Sequence, residues 1–174
     1  MADKKQRSFV PLGIAVLTVS DTRTESSDTS GDLLVERLLS SGHELRDRAI
    51  AKDDVYTIRA KLSHWIADPS VEVVICTGGT GVTGRDGTPE SVSVLLDKEI
   101  EGFGEMFRSI SFAEIGTSSL QSRCLAGVAN GTYIFCLPGS PNACGMGWDK
   151  IIEAQLDYRT RPCNLAELMQ RLKE

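Results

Sequence analysis

Fifteen consecutive residues, Cys76-Thr77-Gly78-Gly79-Thr80-Gly81-Val82-Thr83-Gly84-Arg85-Asp86-Gly87-Thr88-Pro89-Glu90, narrow the possible folds more than any other part of the chain. They follow Val71-Glu72-Val73-Val74-Ile75, an apolar run that reads as a buried strand. They end in Thr88-Pro89-Glu90, which reads as a helix start: a hydroxyl cap, proline in the first turn and a carboxylate at the positive end of the helix dipole. Between strand and helix lies a loop with five glycines and one central aspartate. Glycine lets a backbone approach a ligand closely, and successive free amides in such a turn form an anion-binding nest. The order strand, anion cradle, acid, helix belongs to an α/β protein that binds a negatively charged group.

Two familiar phosphate loops do not fit. Gly79-Thr80-Gly81-Val82-Thr83-Gly84 matches G-x-G-x-x-G letter by letter, but a dinucleotide fingerprint opens its helix directly, and here Arg85-Asp86-Gly87 intervenes. A P-loop needs Gly-Lys-Ser/Thr, and the first lysine after the strand is Lys98. A long connection with no ligand is the plain alternative, although long loops inside compact domains are uncommon and tend to be functional.

A second strand is expected over residues 14–19, followed by Ser20-Asp21 and a polar loop. A helix from about Gly31 carries Leu34, Val35, Leu38 and Leu39, and Gly42 stops it. A weaker strand covers 43–50. Asp53-Asp54 then precedes the helical stripe Val55, Ile58, Leu62, Trp65 and Ile66. The helix opened by Thr88-Pro89 is expected to run to about Lys98, and Glu101-Gly102-Phe103-Gly104-Glu105 to interrupt helical structure before a short segment with Met106, Phe107 and Ile110. Asn130-Gly131 between apolar runs signals a hairpin over 123–137. Pro138-Gly139-Ser140 forms a third loop after a strand, a last helix covers about 143–156, and Leu165, Leu168 and Leu172 mark a short amphipathic turn. Alternating strands and helices predict an α/β fold. Its sheet is mixed and mostly parallel, with one antiparallel strand supplied by the C-terminal hairpin. Loops after parallel strands gather at the carboxyl edge of such a sheet, where ligands bind.

The chain of 174 residues, 41% hydrophobic and 25% charged, suits one domain over 11–174 behind a flexible arm over 1–10. A net charge of −5 argues against a nucleic-acid partner, and no apolar run approaches the ~20 residues of a membrane span. With no signal-peptide core near Met1 and five scattered cysteines, reduced thiols and a cytoplasmic location are expected. Two histidines and no C-x-x-C pair offer no zinc-ligand spacing. Cys136 beside a loop is read as a small core residue rather than a nucleophile.

With these segments placed, the chain resembles the MoaB/MogA family of molybdenum cofactor biosynthesis proteins over 14–162. The resemblance rests on Val19-Ser20-Asp21-Thr22-Arg23, Thr77-Gly78-Gly79-Thr80-Gly81, Arg85-Asp86-Gly87-Thr88-Pro89-Glu90, Glu101-Gly102-Phe103-Gly104-Glu105 and Leu137-Pro138-Gly139-Ser140. Ile115-Gly116-Thr117-Ser118-Ser119-Leu120-Gln121-Ser122-Arg123 and the segment from Leu156 to Asn164 are similar to the MoaB branch.

The resemblance implies a three-layer α/β/α fold and a homotrimer, sometimes paired into a hexamer, and binding of molybdopterin, a pterin with a dithiolene and a terminal phosphate. In active members Mg²⁺ and ATP serve adenylylation of that phosphate, with pyrophosphate released and no tightly bound metal. A separate MoeA-type protein then takes the product for molybdate insertion. Two activities stay open at this point: molybdopterin adenylyltransferase, or a non-catalytic carrier of molybdopterin or its precursor. The Arg85-Asp86-Gly87-Thr88-Pro89 spelling favours the enzyme, and the MoaB-like tail the carrier.

Carried onto this sequence, the resemblance makes Asp86 catalytic and the Mg²⁺ ligand, against a plain Asx-turn. Asp53 becomes the second catalytic aspartate, although Asp53 or Asp54 equally suits a helix cap. Substrate contacts fall to Ser20, Asp21, Thr77, Gly78, Gly79, Thr80, Gly81, Ser122, Pro138, Gly139 and Ser140. Arg123 is either a phosphate grip or a solvated strand end. Glu105 and Arg108, at i, i+3, are read as an ordinary surface pair as readily as a site.

Overall fold

The computed structural model describes residues 7–174. Among these residues six strands form one sheet, in the order β2 (Glu44–Ala51), β1 (Gly13–Val19), β3 (Val73–Thr77), β6 (Thr132–Leu137), β5 (Leu125–Ala129), β4 (Lys98–Glu99). The strands β1, β2, β3 and β6 are parallel neighbours. Only β5 runs against the rest, pairing antiparallel with β6 on one side and with β4 on the other. The β5–β6 turn has Asn130 at φ 48° and Gly131 at φ 82°, the two positive values that a type I′ turn requires.

Strict alternation along the central strands divides the core between two faces. Val16, Val73, Ile75, Phe135 and Leu137 point to one side. There they meet Leu34 and Leu38 of α1 (Thr29–Ser40), Phe103 and Phe107 of α4 (Glu101–Ile115), and Trp148 and Ile152. Leu17, Val74, Cys76, Ile134 and Cys136 point to the other, against Ile58, Leu62 and Trp65 of α2 (Val55–Ala67) and Val92 of α3 (Thr88–Ser93). Both faces of the parallel strands are therefore covered, which gives three layers and explains the unbroken apolar runs in β1, β3 and β6. Fully burying a side chain the size of Leu or Phe stabilises the fold by about 1.5–3 kcal/mol, and these strands contribute many such groups.

Several expectations are corrected. The glycines of Glu101-Gly102-Phe103-Gly104-Glu105 do not interrupt a helix; they lie in the first turns of α4. Phe103 packs edge-on to Phe135 with ring centroids 5.3 Å apart, and Phe107 is buried beside it, so tertiary packing overrides the low helix propensity of glycine. Helix α3 stops at Ser93 rather than near Lys98, and Lys98–Glu99 becomes the edge strand β4. Two charged residues on a two-residue edge strand carry no hydrophobic period to read, and such charges protect a sheet edge from further pairing. Thr88 is the first residue of α3 rather than its cap, which is Gly87; the Thr88 hydroxyl donates instead to the Gly78 carbonyl at 2.8 Å.

The last helix starts earlier than expected. Ser140 caps α5 (Pro141–Gly147), which continues through a π turn (Trp148–Ile152) into α6 (Glu153–Leu156). Of the expected arm over 1–10, residues 1–6 lie outside the described residues. Arg7 forms an ion pair with Glu167 and donates to the Tyr158 carbonyl at 3.2 Å, and Phe9 packs at a tilt against His43 with ring centroids 5.0 Å apart. Glu105 and Arg108 form no pair; Arg108 reaches the carbonyls of Ser122 and Cys124, each at 3.4 Å.

All five cysteines are free thiols. Cys136 lies beside Cys76 across β3–β6, fully buried. The neighbouring thiol and burial together hold its pKa well above the usual range, as expected of a packing residue. No helix among the described residues is long and apolar enough to cross a membrane.

Candidate functional site

The strand order creates the site. From β1 the chain moves to β2 on one side and then to β3 on the other, so the connections leaving β1 and β3 diverge and open a crevice at the carboxyl edge. The loop after β6 enters the same crevice. A cavity of about 440 Å³ lies there, within the range of small-ligand sites.

The turn after β3 forms its floor. Gly78 at φ 96° and Gly79 at φ 64° reverse the chain immediately after Thr77. A Cβ on Gly78 would stand 2.2 Å from the Val19 carbonyl oxygen, so the turn is pressed against the end of β1. The Thr77 hydroxyl donates to the Pro138 carbonyl at 2.8 Å, and Ser30 Oγ donates to the Gly139 carbonyl at 2.8 Å, tying the third loop to the other two. Gly78 N–H is spent on the Leu137 carbonyl at 3.1 Å, whereas the N–H groups of Gly79 and Thr80 reach no acceptor among the described residues. Thr80 is only 4% exposed, and shielded amides without partners are rare in native proteins.

Asp86 stands at the rim. Its Oδ2 accepts from Thr83 N–H at 2.8 Å and from Thr83 Oγ1 at 2.6 Å. The Thr83 hydroxyl bond, more than any other contact, holds its carboxyl below the usual carboxylate range; partial burial opposes this and the Thr83 and Gly81 amides and the Arg123 charge reinforce it.

Asp53 behaves oppositely. Burial pushes its carboxyl up, the Gly87 amide opposes that, and the charges of Asp86 and Asp21 push it further up. The cap belongs to Asp54, whose Oδ1 accepts from Thr57 N–H at 2.8 Å. This leaves Asp53 to accept from Gly87 N–H at 3.1 Å.

The structure thus brings Ser20, Thr77, Gly78, Gly79, Thr80, Gly81, Asp86, Ser122, Pro138, Gly139 and Ser140 around one cavity. It does not bring Asp21 or Asp53 into the cavity wall. Asp21 takes Arg85 Nη2 on Oδ2 at 2.7 Å and the Asp53 amide on Oδ1 at 3.2 Å, a tie between two loops. Asp53 touches the loop that carries Asp86 rather than the cavity.

Sequence reasoning missed part of the wall. Phe107, Ser111 and Ile115 line the cavity at i, i+4, i+8 on α4, a face visible in the spacing once α4 is read as one helix. Arg23 also lines it, donates to the Ser27 carbonyl at 2.5 Å and makes no ion pair among the described residues. It brings a cation to the cavity wall.

Asp28 lies at the cavity base with its side chain 1% exposed. It caps α1 through Gly31 N–H at 3.0 Å, accepts from Thr18 Oγ1 at 2.7 Å and pairs with Arg48 at 2.8 Å. Burial pushes this carboxyl up, but Arg48, the Gly31 amide and the Thr18 hydroxyl together outweigh it and leave the net value low. Stability from a lowered carboxyl is present above the ordinary value near ~3.9 and is lost as pH falls through the folded value. The thermal midpoint should therefore drop below about pH 4, and Asp28→Asn should flatten that part of the pH curve. The same substitution should cost about 3 kcal/mol at pH 7, the low end for breaking a buried pair because Arg48 keeps Asp32 at 2.6 Å. A pH series of thermal melts on both proteins checks this; identical slopes below pH 4 would contradict it.

An α/β sheet with turn amides, an aspartate and an arginine gathered around one crevice at its switch point has the architecture of an α/β small-ligand-binding protein. Comparison with known proteins narrows the class. Residues 15–158 match the family described as "Probable molybdopterin binding domain". Molybdenum cofactor biosynthesis protein B of Escherichia coli (strain K12) is 56% identical over 156 residues, covering 90% of this chain and 92% of its own length. The protein of the same name from Staphylococcus carnosus (strain TM300) is 47% identical over 147 residues, covering 83% and 86%. A crystal structure of a molybdenum cofactor biosynthesis protein B superposes with TM-score 0.86 at 39% identity over 95% of this chain and 98% of that one. The tungsten cofactor synthesizing protein MoaB from Pyrococcus furiosus gives 0.78 at 34% identity, covering 94% and 98%. The chain belongs to the MoaB/MogA family of molybdenum cofactor biosynthesis proteins and has a part in that pathway.

Proposed function

We propose that the protein binds molybdopterin in the cavity at the carboxyl edge of the sheet and adenylylates its terminal phosphate with Mg-ATP, releasing pyrophosphate. The observation that carries this reading is the pair of unpartnered amides at Gly79 and Thr80, in residues that line one cavity together with the carboxylate-bearing Asp86 and the cationic Arg23. An oxygen of the pterin phosphate attacks the α-phosphorus of ATP. The bond from that phosphorus to the bridging oxygen breaks, the electron pair leaves with pyrophosphate, and a phosphoanhydride remains. Two anions must approach each other, so the turn amides and Arg23 bind and orient phosphate oxygens, and the walls of Phe107 and Ile115 limit water.

Mg²⁺ arriving with ATP supplies charge neutralisation of the leaving pyrophosphate. Asp86 suits it: a hard oxygen donor, held ionised by Thr83, matches an ion that takes one or two carboxylates along with phosphates and waters. Among the described residues no three His, Cys, Asp or Glu side chains converge as a cage for a resident metal.

The reading extends to a cytoplasmic homotrimer, with or without pairing into a hexamer, that hands its product to a MoeA-type insertion protein. The apolar side chains that α4 and the following 3-10 turn (Gly116–Gln121) leave exposed, Met106, Phe112, Ile115 and Leu120, support an assembly surface.

The deciding experiment supplies molybdopterin and Mg-ATP and measures pyrophosphate. Release that requires both substrates supports the enzyme. Pterin binding with no pyrophosphate formed would leave a carrier.

A further inference from the structure

Arg123, at the entrance to β5, is turned away from the cavity and does not line it. Two arms of its guanidinium are spent on the loop that carries Asp86, and the third on the helix that follows it. Nε donates to the Gly81 carbonyl at 2.6 Å, Nη2 donates to the Asp86 carbonyl at 2.7 Å, and Nη1 pairs with Glu90 in α3. The Arg123 amide adds a bond to the Thr80 carbonyl at 3.1 Å. One planar side chain therefore bridges both ends of the segment 81–86 and fastens it to α3. The Asp86–Gly87 peptide is held from two sides: its carbonyl by Arg123, and its N–H by Asp53 Oδ1 at 3.1 Å.

We infer that Arg123 is a positioning residue: with Asp53 it clamps the Asp86–Gly87 peptide and so fixes where the Asp86 carboxylate stands over the amide cradle. The physical need is clear. The loop is rich in glycine, and Gly84 has no neighbouring atom within 4 Å of where a Cβ would lie, so packing alone does not set the loop's shape. Carbonyls that face a fixed fork of donors set it instead. Lysine keeps the charge but is a single point with no planar fork, and it cannot span the Gly81 and Asp86 carbonyls together with Glu90. The role of the clamp in turnover rests on the adenylylation reading; the clamp itself does not.

The test compares wild type with Arg123→Lys and Arg123→Gln in the full chain without ligand, by amide hydrogen exchange. Amides of 82–87 should exchange at least about tenfold faster in both variants while β1 and β3 keep their protection. With substrates, kcat for pyrophosphate release should fall about 30-fold and KM for molybdopterin should change less than about threefold, with lysine failing to rescue. Loop exchange at the wild-type rate overturns the inference, and so does acceleration spread evenly over the sheet, which marks a plain stability role. Because exchange needs no substrate, a wild type that made no pyrophosphate would refute the adenylylation reading while exchange still decided the clamp.

Discussion

Asp86→Asn should lose pyrophosphate release by about 100- to 1,000-fold while still binding molybdopterin and melting within a few degrees of wild type. The size follows from removing one preorganised charge at a site where charge develops in the transition state. The preserved fold follows from local geometry. Asp86 Oδ2 accepts two bonds from Thr83, and the amide oxygen of asparagine accepts the same two. The backbone bonds to Arg123 and Asp53 do not involve the side chain at all. What asparagine lacks is the negative charge that the proposed Mg-ATP chemistry uses. Steady-state assays on both proteins, with pterin binding measured separately, check the prediction. Equal release from wild type and variant would remove Asp86 from the chemistry, and a carrier would be indifferent to the change.

Gly78→Ala should be among the most disruptive single substitutions in the chain. At φ 96° an alanine is strained by roughly 1–3 kcal/mol before it touches anything. Its methyl would then lie 2.2 Å from the Val19 carbonyl oxygen, a backbone atom of a central strand that cannot swing aside. Overpacking of that kind adds about 1–3 kcal/mol. Together they should lower the thermal midpoint by roughly 4–24 °C for a domain of this size. Gly84→Ala is the control: no atom lies within 4 Å of its Cβ position, so it should stay within about 0.5 kcal/mol of wild type. Two variants with the same melting temperature would mean that the turn is not held against β1 as described.

Both predictions concern a loop that could be read from the residues. The apolar run before it, the glycines within it and Thr88-Pro89-Glu90 after it each carry a local signal, and the alternation of short apolar runs with helical stripes places it at a sheet edge. The reading failed where tertiary contacts decide. Gly102 and Gly104 argue against a helix until Phe103 has Phe135 to pack on, and two charged residues at 98–99 show no strand period until β5 offers them an edge.

The aspartates show the same limit. Asp53 and Asp54 are chemically equal in the sequence, and only the fold shows that one caps α2 while the other reaches a loop 34 residues away. Arg123 suggested a phosphate grip, because guanidinium and phosphate match. Its actual partners are carbonyls of a loop whose folded shape no spacing rule encodes.

A crystal of the protein soaked with molybdopterin or AMP tests the central claim most directly. The account predicts phosphate oxygens within hydrogen-bond distance, about 2.7–3.2 Å, of the Gly79 and Thr80 amides and beside Asp86. A ligand bound at another surface, with those amides untouched, would contradict it.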